Sequence, residues 1–185
     1  MDRLQEVLPI FTIGYGSRSI EQFIDVLKVH QIAYLIDVRS APYSRYKPEF
    51  SKEALDAELG RHGIRYVYMG DTLGGHPDNK ECYDSNGKVD YDRVKKTENY
   101  QVGINRLQKA VAQKQCVALM CSEGKPENCH RSKLIGETLE KRNVPITHID
   151  ENNEPQSQMH IIDRLTGGQM PLFGEDEFQS RKRYQ

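Results

Sequence analysis

The sequence lacks the features that mark membrane and secreted proteins. No apolar run approaches the roughly 20 residues that cross a bilayer, and the N-terminal MDRLQEVLPIF lacks the long apolar stretch of a signal peptide. The chain has only four cysteines in 185 residues, which does not make a disulfide scaffold. We therefore expect a cytoplasmic protein whose cysteines are buried apolar residues, metal ligands or reactive thiols.

An excess of charge of one sign is also missing. The formal net charge is −1, so any contact with a polyanion has to use a local basic patch. Internal repeats and low-complexity tracts are absent. With 37% hydrophobic and 29% charged residues, the composition is that of a rather polar globular protein, and its length suits one domain with a full core.

The periodic segments predict a βαβ unit near the N-terminus. Residues 9–14 form a strand pattern, and Ser19 with Gln22 has the spacing of a capping box before an amphipathic helix. Residues 32–38 are a continuous apolar run, which is typical of a strand covered on both faces. Two strands joined by a helix in this way are expected to be parallel.

The rest of the chain extends this pattern. Further strands are predicted at residues 64–69, 117–120 and 146–149, and further helices after Ser51, around 104–111 and over 131–142. Residues 70–90 are a long polar excursion, either functional or mobile. We expect a single three-layer α/β domain over residues 1–150, with helices on both faces of a mainly parallel sheet. Residues 151–185 are expected to be a polar C-terminal extension that trails over the surface.

The most informative stretch is residues 116–132, CVALMCSEGKPENCHRS. It joins a buried-strand pattern to a loop and a helix start, and ligands collect there in α/β folds because the next helix presents free N–H groups. The candidate catalytic residues are Cys121, Glu123 and His130. Arg131 and Ser132, at the helix start, are candidates for binding an anion.

Three interpretations of this stretch remain open. Cys121 could be a thiolate nucleophile, since a helix N-terminus and an arginine both lower a thiol pKa. Its spacing to Arg131 does not match the cysteine phosphatase loop. Alternatively, Cys121, Cys129 and His130 could bind zinc or another soft metal, although no metal is required by the sequence. The third interpretation makes the cysteines inert packing residues.

A second cluster of candidate residues lies in DVRSAPYSRY, which follows the second strand. Arg39, Ser44 and Arg45 could bind phosphate, because guanidinium groups donate paired hydrogen bonds to it. Tyr43, Tyr46 and Phe50 could stack on the bases of a nucleotide or of single-stranded nucleic acid. Alternatively, the arginines pair with Asp37 or Glu49 within the loop.

Two shorter motifs add candidates. Gly14 and Tyr15, in GYG before the first helix, could admit a phosphate, although the dinucleotide-binding fingerprint is incomplete. The tail contains the segment QMPLF (residues 169–173), which resembles the peptide through which bacterial replication and repair proteins bind the DNA sliding clamp. Its candidate binding residues are Gln169, Leu172 and Phe173. The alternative is that this segment docks on its own domain.

Three segments taken together, IGYGSRSIEQF, DVRSAPYSRYKPEF and CSEGKPENCHRSKLIG, resemble the bacterial and archaeal family known as domain of unknown function 488. The resemblance covers residues 10–149 and implies a single α/β domain, without an established activity. Its recurrent positions fall on Gly14, Asp37, Arg39, Pro42, Ser44, Arg45, Phe50, Gly74, Cys121, Glu123, Cys129, His130 and Arg131.

From these features we expect an enzyme that acts on a phosphate-bearing substrate, a nucleic acid or a nucleotide. Arg39, Arg45 and Arg131 would bind the anion, Cys121 would be the nucleophile or redox centre, and His130 or Glu123 would carry the proton. The alternative is a non-catalytic adaptor that associates with DNA or the sliding clamp and holds a structural metal. No membrane partner is expected.

Overall fold

The computed structural model describes residues 8–168 and 179–184. Its strands are β1 (Ile10–Gly14), β2 (Tyr34–Asp37), β3 (Arg65–Tyr68), β4 (Lys88–Asp90), β5 (Val117–Cys121), β6 (Ile146–Ile149), β7 (Pro155–Ser157) and β8 (Gln179–Arg183). Six of them form one sheet in the order β3-β2-β5-β1-β6-β7, in which every pairing is parallel except that of β7 with β6. The other two, β4 and β8, form an antiparallel ribbon.

Seven α-helices surround the sheet in the described part of the chain: α1 (Ile20–Val29), α2 (Lys52–Arg61), α3 (Gly70–Leu73), α4 (Tyr91–Lys96), α5 (Glu98–Ala112), α6 (Glu137–Lys141) and α7 (Gln158–Thr166). The prediction of a single α/β domain with a mainly parallel sheet is therefore confirmed. Within the described residues, no helix has the length and apolar character that a membrane span requires.

The core lies in two layers, one on each face of the sheet. Apolar residues of α1 and α2, such as Phe23 and Leu55, pack with Ile13 and Met120 on one face. Residues of α4, α5 and α6 pack with Leu119 and its neighbours on the other face. Because successive side chains of a strand point to opposite faces, Met120 and Cys121 belong to different layers, and Cys121 lies on the α5 and α6 side.

The predicted βαβ unit is present with its cap. The Ser19 hydroxyl accepts a hydrogen bond from Gln22 N at 3.2 Å, and Ser19 N donates to Gln22 Oε1 at 2.9 Å. This capping box satisfies two N–H groups that the first turn of α1 leaves free. Ser51 also occupies the N-cap of α2, but its hydroxyl makes no capping bond and instead accepts from Ser44 N at 3.1 Å.

The helix predicted over residues 131–142 differs in form. It begins as a π-helical turn, Arg131–Gly136, and becomes α-helical only in α6. The amide groups of Ser132 and Lys133 both lie 3.3 Å from the carbonyl oxygen of Cys129, and Gln158 of α7 donates to Ser132 O at 3.0 Å. Contacts from outside the helix therefore hold this wider turn, a geometry that is frequent at functional sites.

The expectation that the chain trails over the surface beyond Asp150 is wrong for the described residues. Strand β7 adds an antiparallel edge to the sheet, and α7 packs against the π-helical turn and β6. Ile161 of α7 is fully buried, although its neighbour Met159 is exposed. Helix α7 was not predicted because most of its residues are polar, and its narrow apolar face is stabilised mainly by tertiary packing. The polar excursion is also partly ordered, since it contains α3 and β4.

A buried histidine joins β1, β6 and α7. His148 Nε2 lies 2.6 Å from Gln158 Oε1, and Nδ1 lies 2.7 Å from the Thr12 hydroxyl. The amide oxygen only accepts, so Nε2 carries the proton and Nδ1 accepts from Thr12. Burial and the neighbouring positive charge of Arg131 lower the pKa of His148 to about 4, which keeps this ring neutral.

The packing of α7 gives a prediction about stability. We expect Ile161→Ala to reduce the free energy of unfolding by about 2–4 kcal/mol, because it leaves a cavity where the side chain is fully buried. Met159→Ala on the same helix, where the side chain is 68% exposed, should change it by less than about 0.5 kcal/mol. Urea denaturation followed by circular dichroism measures both, and equal effects would show that α7 does not belong to the core.

Candidate active site

The topology creates a crevice where β5 lies beside β1. From β1 the chain continues to β2 in one direction across the sheet, and from β5 it continues to β6 in the opposite direction. As a result α1, after β1, and α6, after β5, cover opposite faces of the sheet. Cα pairing places Gly14, at the end of β1, opposite Cys121, at the end of β5. Such a switch point between parallel strands is where open α/β sheets bind ligands.

Cys121 lies in this crevice beside a second thiol and an imidazole. The sulfurs of Cys121 and Cys129 and a ring nitrogen of His130 lie within 4.8 Å of one another. The Cys129 sulfur is 3.6 Å from His130 Nδ1. All three side chains belong to the segment that the sequence singled out, and the structure brings them together at the end of β5.

The two thiols have opposite acidities. A hydrogen bond from Cys129, together with the nearby His130 and the positive charge of Arg131, holds the pKa of Cys121 well below its usual value, although burial opposes this. Burial raises the pKa of Cys129 well above its usual value, and the charge of Cys121 raises it further. These opposite shifts favour ionisation of Cys121 over ionisation of Cys129.

His130 is oriented by the backbone. Its Nε2 donates to the carbonyl oxygen of Val38 at 3.1 Å, so in the neutral ring Nδ1 is the unprotonated nitrogen and points toward the thiols. Gly75 makes room for this arrangement, because a Cβ atom there would lie 2.7 Å from the His130 ring.

Arg131 supports the loop that follows β5. Its side chain is fully buried, and Nη2 donates to the carbonyl oxygens of Glu123 and Gly124 at 2.9 and 2.8 Å. Its Nε and Nη1 have no hydrogen-bond partner among the described residues. Arg131 is not among the residues that line the cavity at this site, so it acts on Cys121 through its charge and through the loop.

Arg39 has the intramolecular partner that the sequence left as an alternative. Its Nε and Nη2 donate to the two carboxylate oxygens of Asp37 at 2.9 and 2.6 Å, and Nη2 also donates to Phe50 O. The hydroxyl of Tyr66 donates to the same carboxylate at 2.6 Å. One nitrogen of Arg39, Nη1, is buried without a partner among the described residues, so most of this charge is compensated within the protein.

A cavity of about 280 Å³ opens beside the thiols. Cys121, Glu123, Cys129 and His130 line it together with Arg39 from the β2 loop. The further lining residues are Tyr15, Ser40, Ala41, Tyr43, Gly75, His76, Tyr91, Ser122, Asn128, Ser180, Arg181, Lys182 and Tyr184. The lining therefore includes three arginine and lysine residues, Arg39, Arg181 and Lys182, and one acidic residue, Glu123.

Several residues that line the cavity were not predicted from the sequence. Arg181 and Lys182 lie in β8 and Tyr184 directly follows it, in a part of the chain that was expected to trail over the surface. The Tyr184 ring stacks on His76 with centroids 4.1 Å apart. The only sequence signal was the polar excursion of residues 70–90, whose strand β4 pairs with β8.

Hydrogen bonds hold β8 both to the segment of β4 and to the π-helical turn. Val89 N donates to the Ser180 hydroxyl at 2.9 Å, and Tyr184 N donates to Gly87 O at 2.7 Å. Lys133, from the π-helical turn, donates to Gln179 O at 3.3 Å. These contacts fix the strand that carries Arg181 and Lys182 beside the thiols.

The remaining predicted site residues fall in different places. Tyr15 lines the cavity, and its hydroxyl donates to Ser44 at 3.3 Å. Arg45 is exposed and is not among the lining residues. The hydroxyl of Ser132 donates to the Pro126 carbonyl oxygen at 2.6 Å and does not line the cavity.

The aromatic residues of the loop that follows β2 differ in burial. Phe50 is fully buried and stacks on Tyr15 with centroids 4.3 Å apart, so it has no free face for a base. Tyr43 and Tyr46 are 72% and 91% exposed. The predicted clamp-binding motif lies outside the described residues with its residues Gln169, Leu172 and Phe173. Binding to the sliding clamp therefore stays a prediction.

Gly14 has a steric role. A Cβ atom at this position would lie 1.7 Å from the carbonyl oxygen of Glu123, the same oxygen that accepts a hydrogen bond from Arg131. The ends of β1 and β5 therefore approach each other so closely that only glycine fits.

One of three comparisons with known proteins gave a match. The model of the family described as "Domain of unknown function DUF488" matches residues 19–137, well over half of the chain. That range contains Arg39, Cys121, Cys129 and His130, whereas β8 lies outside it. No curated protein and no solved structure matches the chain.

The acidities of the thiols predict selective alkylation. At pH 7 iodoacetamide should label Cys121 first, because alkylation requires the thiolate and the pKa of Cys121 is depressed. Cys116 and Cys82 should react later, because burial raises the pKa of each. Peptide mass spectrometry over a time course gives the order, with Cys121→Ser as the control. Equal, slow labelling of all four thiols would contradict the thiolate assignment.

The close approach at Gly14 predicts a large steric effect. We expect Gly14→Ala to lower the free energy of unfolding by about 3 kcal/mol or more, because backbone on both sides has to move. Gly60→Ala is the matched control: a Cβ atom there has no neighbour within 4 Å, so alanine in α2 should raise stability by up to about 1 kcal/mol. Chemical denaturation of both variants tests the contact, and a neutral Gly14→Ala would refute it.

Proposed function

This chain belongs to the DUF488 family, and we propose that it is an enzyme acting on a phosphate-bearing substrate, a nucleotide or nucleic acid, with Cys121 as its nucleophile. The observation that carries the proposal is a thiolate-forming cysteine at a sheet switch point, inside a cavity with a surplus of cationic side chains. A thiolate is the reactive form of cysteine, and cations favour anionic ligands.

The cations that support substrate binding are chiefly those of β8. Arg39 lines the cavity and offers Nη1, but Asp37 already neutralises much of its charge. Arg181 and Lys182 also line the cavity, and both residues are exposed. We assign the main contact with phosphate to Arg181 and Lys182, with Arg39 Nη1 as a donor from the opposite wall.

In the proposed reaction the Cys121 sulfur attacks phosphorus and the bond from phosphorus to the leaving oxygen breaks. The leaving oxygen takes a proton from the acid form of Glu123 or from the imidazolium form of His130, both of which line the cavity. Water then attacks phosphorus and gives a proton to the same group, the sulfur–phosphorus bond breaks, and the phosphate product leaves with the Cys121 thiolate regenerated. The role of Arg131 is to hold the loop after β5 and to favour the charge on Cys121.

The test combines a binding and a chemical measurement. A nucleoside 5′-monophosphate should slow the alkylation of Cys121, and acid quenching with a panel of nucleotides should trap a phosphoryl group on Cys121. We expect the double change Arg181→Gln, Lys182→Gln to remove most of the protection, because it removes both exposed cations of the cavity wall. Peptide mass spectrometry measures both readouts.

Arg183→Gln is the matched control, since Arg183 is an exposed cation of the same strand outside the cavity lining. It should leave the protection unchanged. Arg39 is not a suitable variant, because its removal would leave the Asp37 carboxylate buried without its cation. Absence of both protection and a phosphoryl adduct across the panel would refute the proposed function.

A second candidate is a binding protein with a structural metal, favoured by the grouping of Cys121, Cys129 and His130. Two thiolates and an imidazole suit zinc, and the bond from His130 to Val38 O is the kind of outer contact that orients a ligating histidine. Elemental analysis of the purified protein separates the candidates: one tightly held equivalent of zinc favours the adaptor, and metal-free protein with a reactive Cys121 favours the enzyme.

A further inference from the structure

The proposed phosphoryl chemistry uses one thiol, but the cavity contains two. Cys129 lines the same cavity as Cys121, and their sulfurs lie within 4.8 Å of each other. Cys129 has extended backbone angles, φ −117° and ψ 150°, between a 3₁₀ turn and the π-helical turn. It therefore lies outside the regular helical ladder that begins after it.

The acid–base arrangement around the pair is asymmetric. The Cys129 sulfur lies 3.6 Å from His130 Nδ1, which is the ring nitrogen free to accept a proton because Nε2 donates to Val38 O. Cys121, whose pKa is lowered, lies within 4.8 Å of both groups. Paired thiols that exchange with disulfides need this combination: one thiol ready to attack, and a buried partner that becomes nucleophilic only when a base removes its proton.

We propose that Cys121 and Cys129 form a redox pair that exchanges with a small anionic disulfide, with His130 as the base for Cys129. The proposal shares the Cys121 thiolate with the proposed function, but it requires no phosphoryl chemistry. The cationic side chains of β8 favour a disulfide that carries carboxylates, and oxidised glutathione is a probe of this class.

The exchange takes place in two balanced steps. The Cys121 thiolate attacks one sulfur of the substrate disulfide, whose sulfur–sulfur bond breaks, and one substrate thiolate leaves. His130 Nδ1 then takes the proton of Cys129, whose sulfur attacks Cys121 and displaces the second substrate thiolate. The protein loses two electrons and the substrate gains them, so one dithiol and one disulfide become one disulfide and two thiols after protonation.

The experiment uses the full chain with Cys82→Ser and Cys116→Ser, so that only the cavity thiols remain. Reduced protein is mixed with oxidised glutathione at pH 7.5 without oxygen, quenched with acid and cleaved after glutamate, which separates Cys121 from Cys129 at Glu123 and Glu127. We expect a Cys121–Cys129 linked peptide and the release of two glutathione thiols per chain. Dithiothreitol should reverse the reaction.

Three variants assign the roles. Cys129→Ser, which keeps a hydroxyl donor beside Cys121, should stop at a stable mixed disulfide between Cys121 and glutathione. Cys121→Ser should lose the rapid reaction altogether. His130→Gln should accumulate the mixed disulfide because resolution slows by at least about tenfold, as expected when a general base is removed. Circular dichroism confirms that each variant is folded.

Two results would overturn the proposal. The first is a parent protein that stops at the mixed disulfide while Cys129 still reacts with iodoacetamide. The second is a bound metal that has to be removed before either thiol reacts. The proposed function can fail separately, because its readout is a phosphoryl group trapped on Cys121, whereas the redox pair is measured by the Cys121–Cys129 linked peptide and the released glutathione thiols.

Discussion

The buried guanidinium of Arg131 is the constraint on which the candidate site depends. Removing a cation from water is costly unless nearby groups compensate it. Arg131 donates hydrogen bonds to two backbone carbonyl oxygens, and within the described residues no carboxylate forms an ion pair with it. The carbonyl groups order the loop after β5, and the Cys121 thiolate supplies negative charge. The same arrangement thus favours the fold of the loop and the ionised thiol.

Much of the scaffold could be predicted from local sequence. The capping box at Ser19 and the apolar runs of β2 and β5 specify their elements through short-range periodicity. The parallel direction of β1 and β2, which β5 separates in the sheet, follows from their connection through α1. The cluster of Cys121, Cys129 and His130 could also be predicted, because all three flank a single strand end. Such signals are local, and the tertiary structure preserves them.

The contacts that could not be predicted depend on partners distant in the sequence. Nothing in the polar segment around Arg181 and Tyr184 indicates a strand until it pairs with β4, far earlier in the chain. Phe50 is aromatic and was therefore predicted to stack on a base, but its ring lies in the core against Tyr15. Arg39 lies two residues after Asp37 in the sequence, a spacing that is compatible both with an ion pair between them and with a free arginine. In the folded chain both side chains are buried, and they form the ion pair. The resulting site combines thiols inside the matched family region with cations outside it.

The charge of Arg131 also acts on the opposite side of β1. Burial is the main cause of the lowered pKa of His148, and the charge of Arg131 adds to it, so that the ring is held neutral between Thr12 and Gln158. In the unfolded chain this histidine binds a proton at a pKa of about 6.5, whereas in the folded chain it does so at about 4. Between these values the unfolded state takes up more protons, so the unfolding free energy falls as the pH falls. One buried cation therefore favours ionisation of the Cys121 thiol and, together with the burial of His148, makes the fold less stable in mild acid.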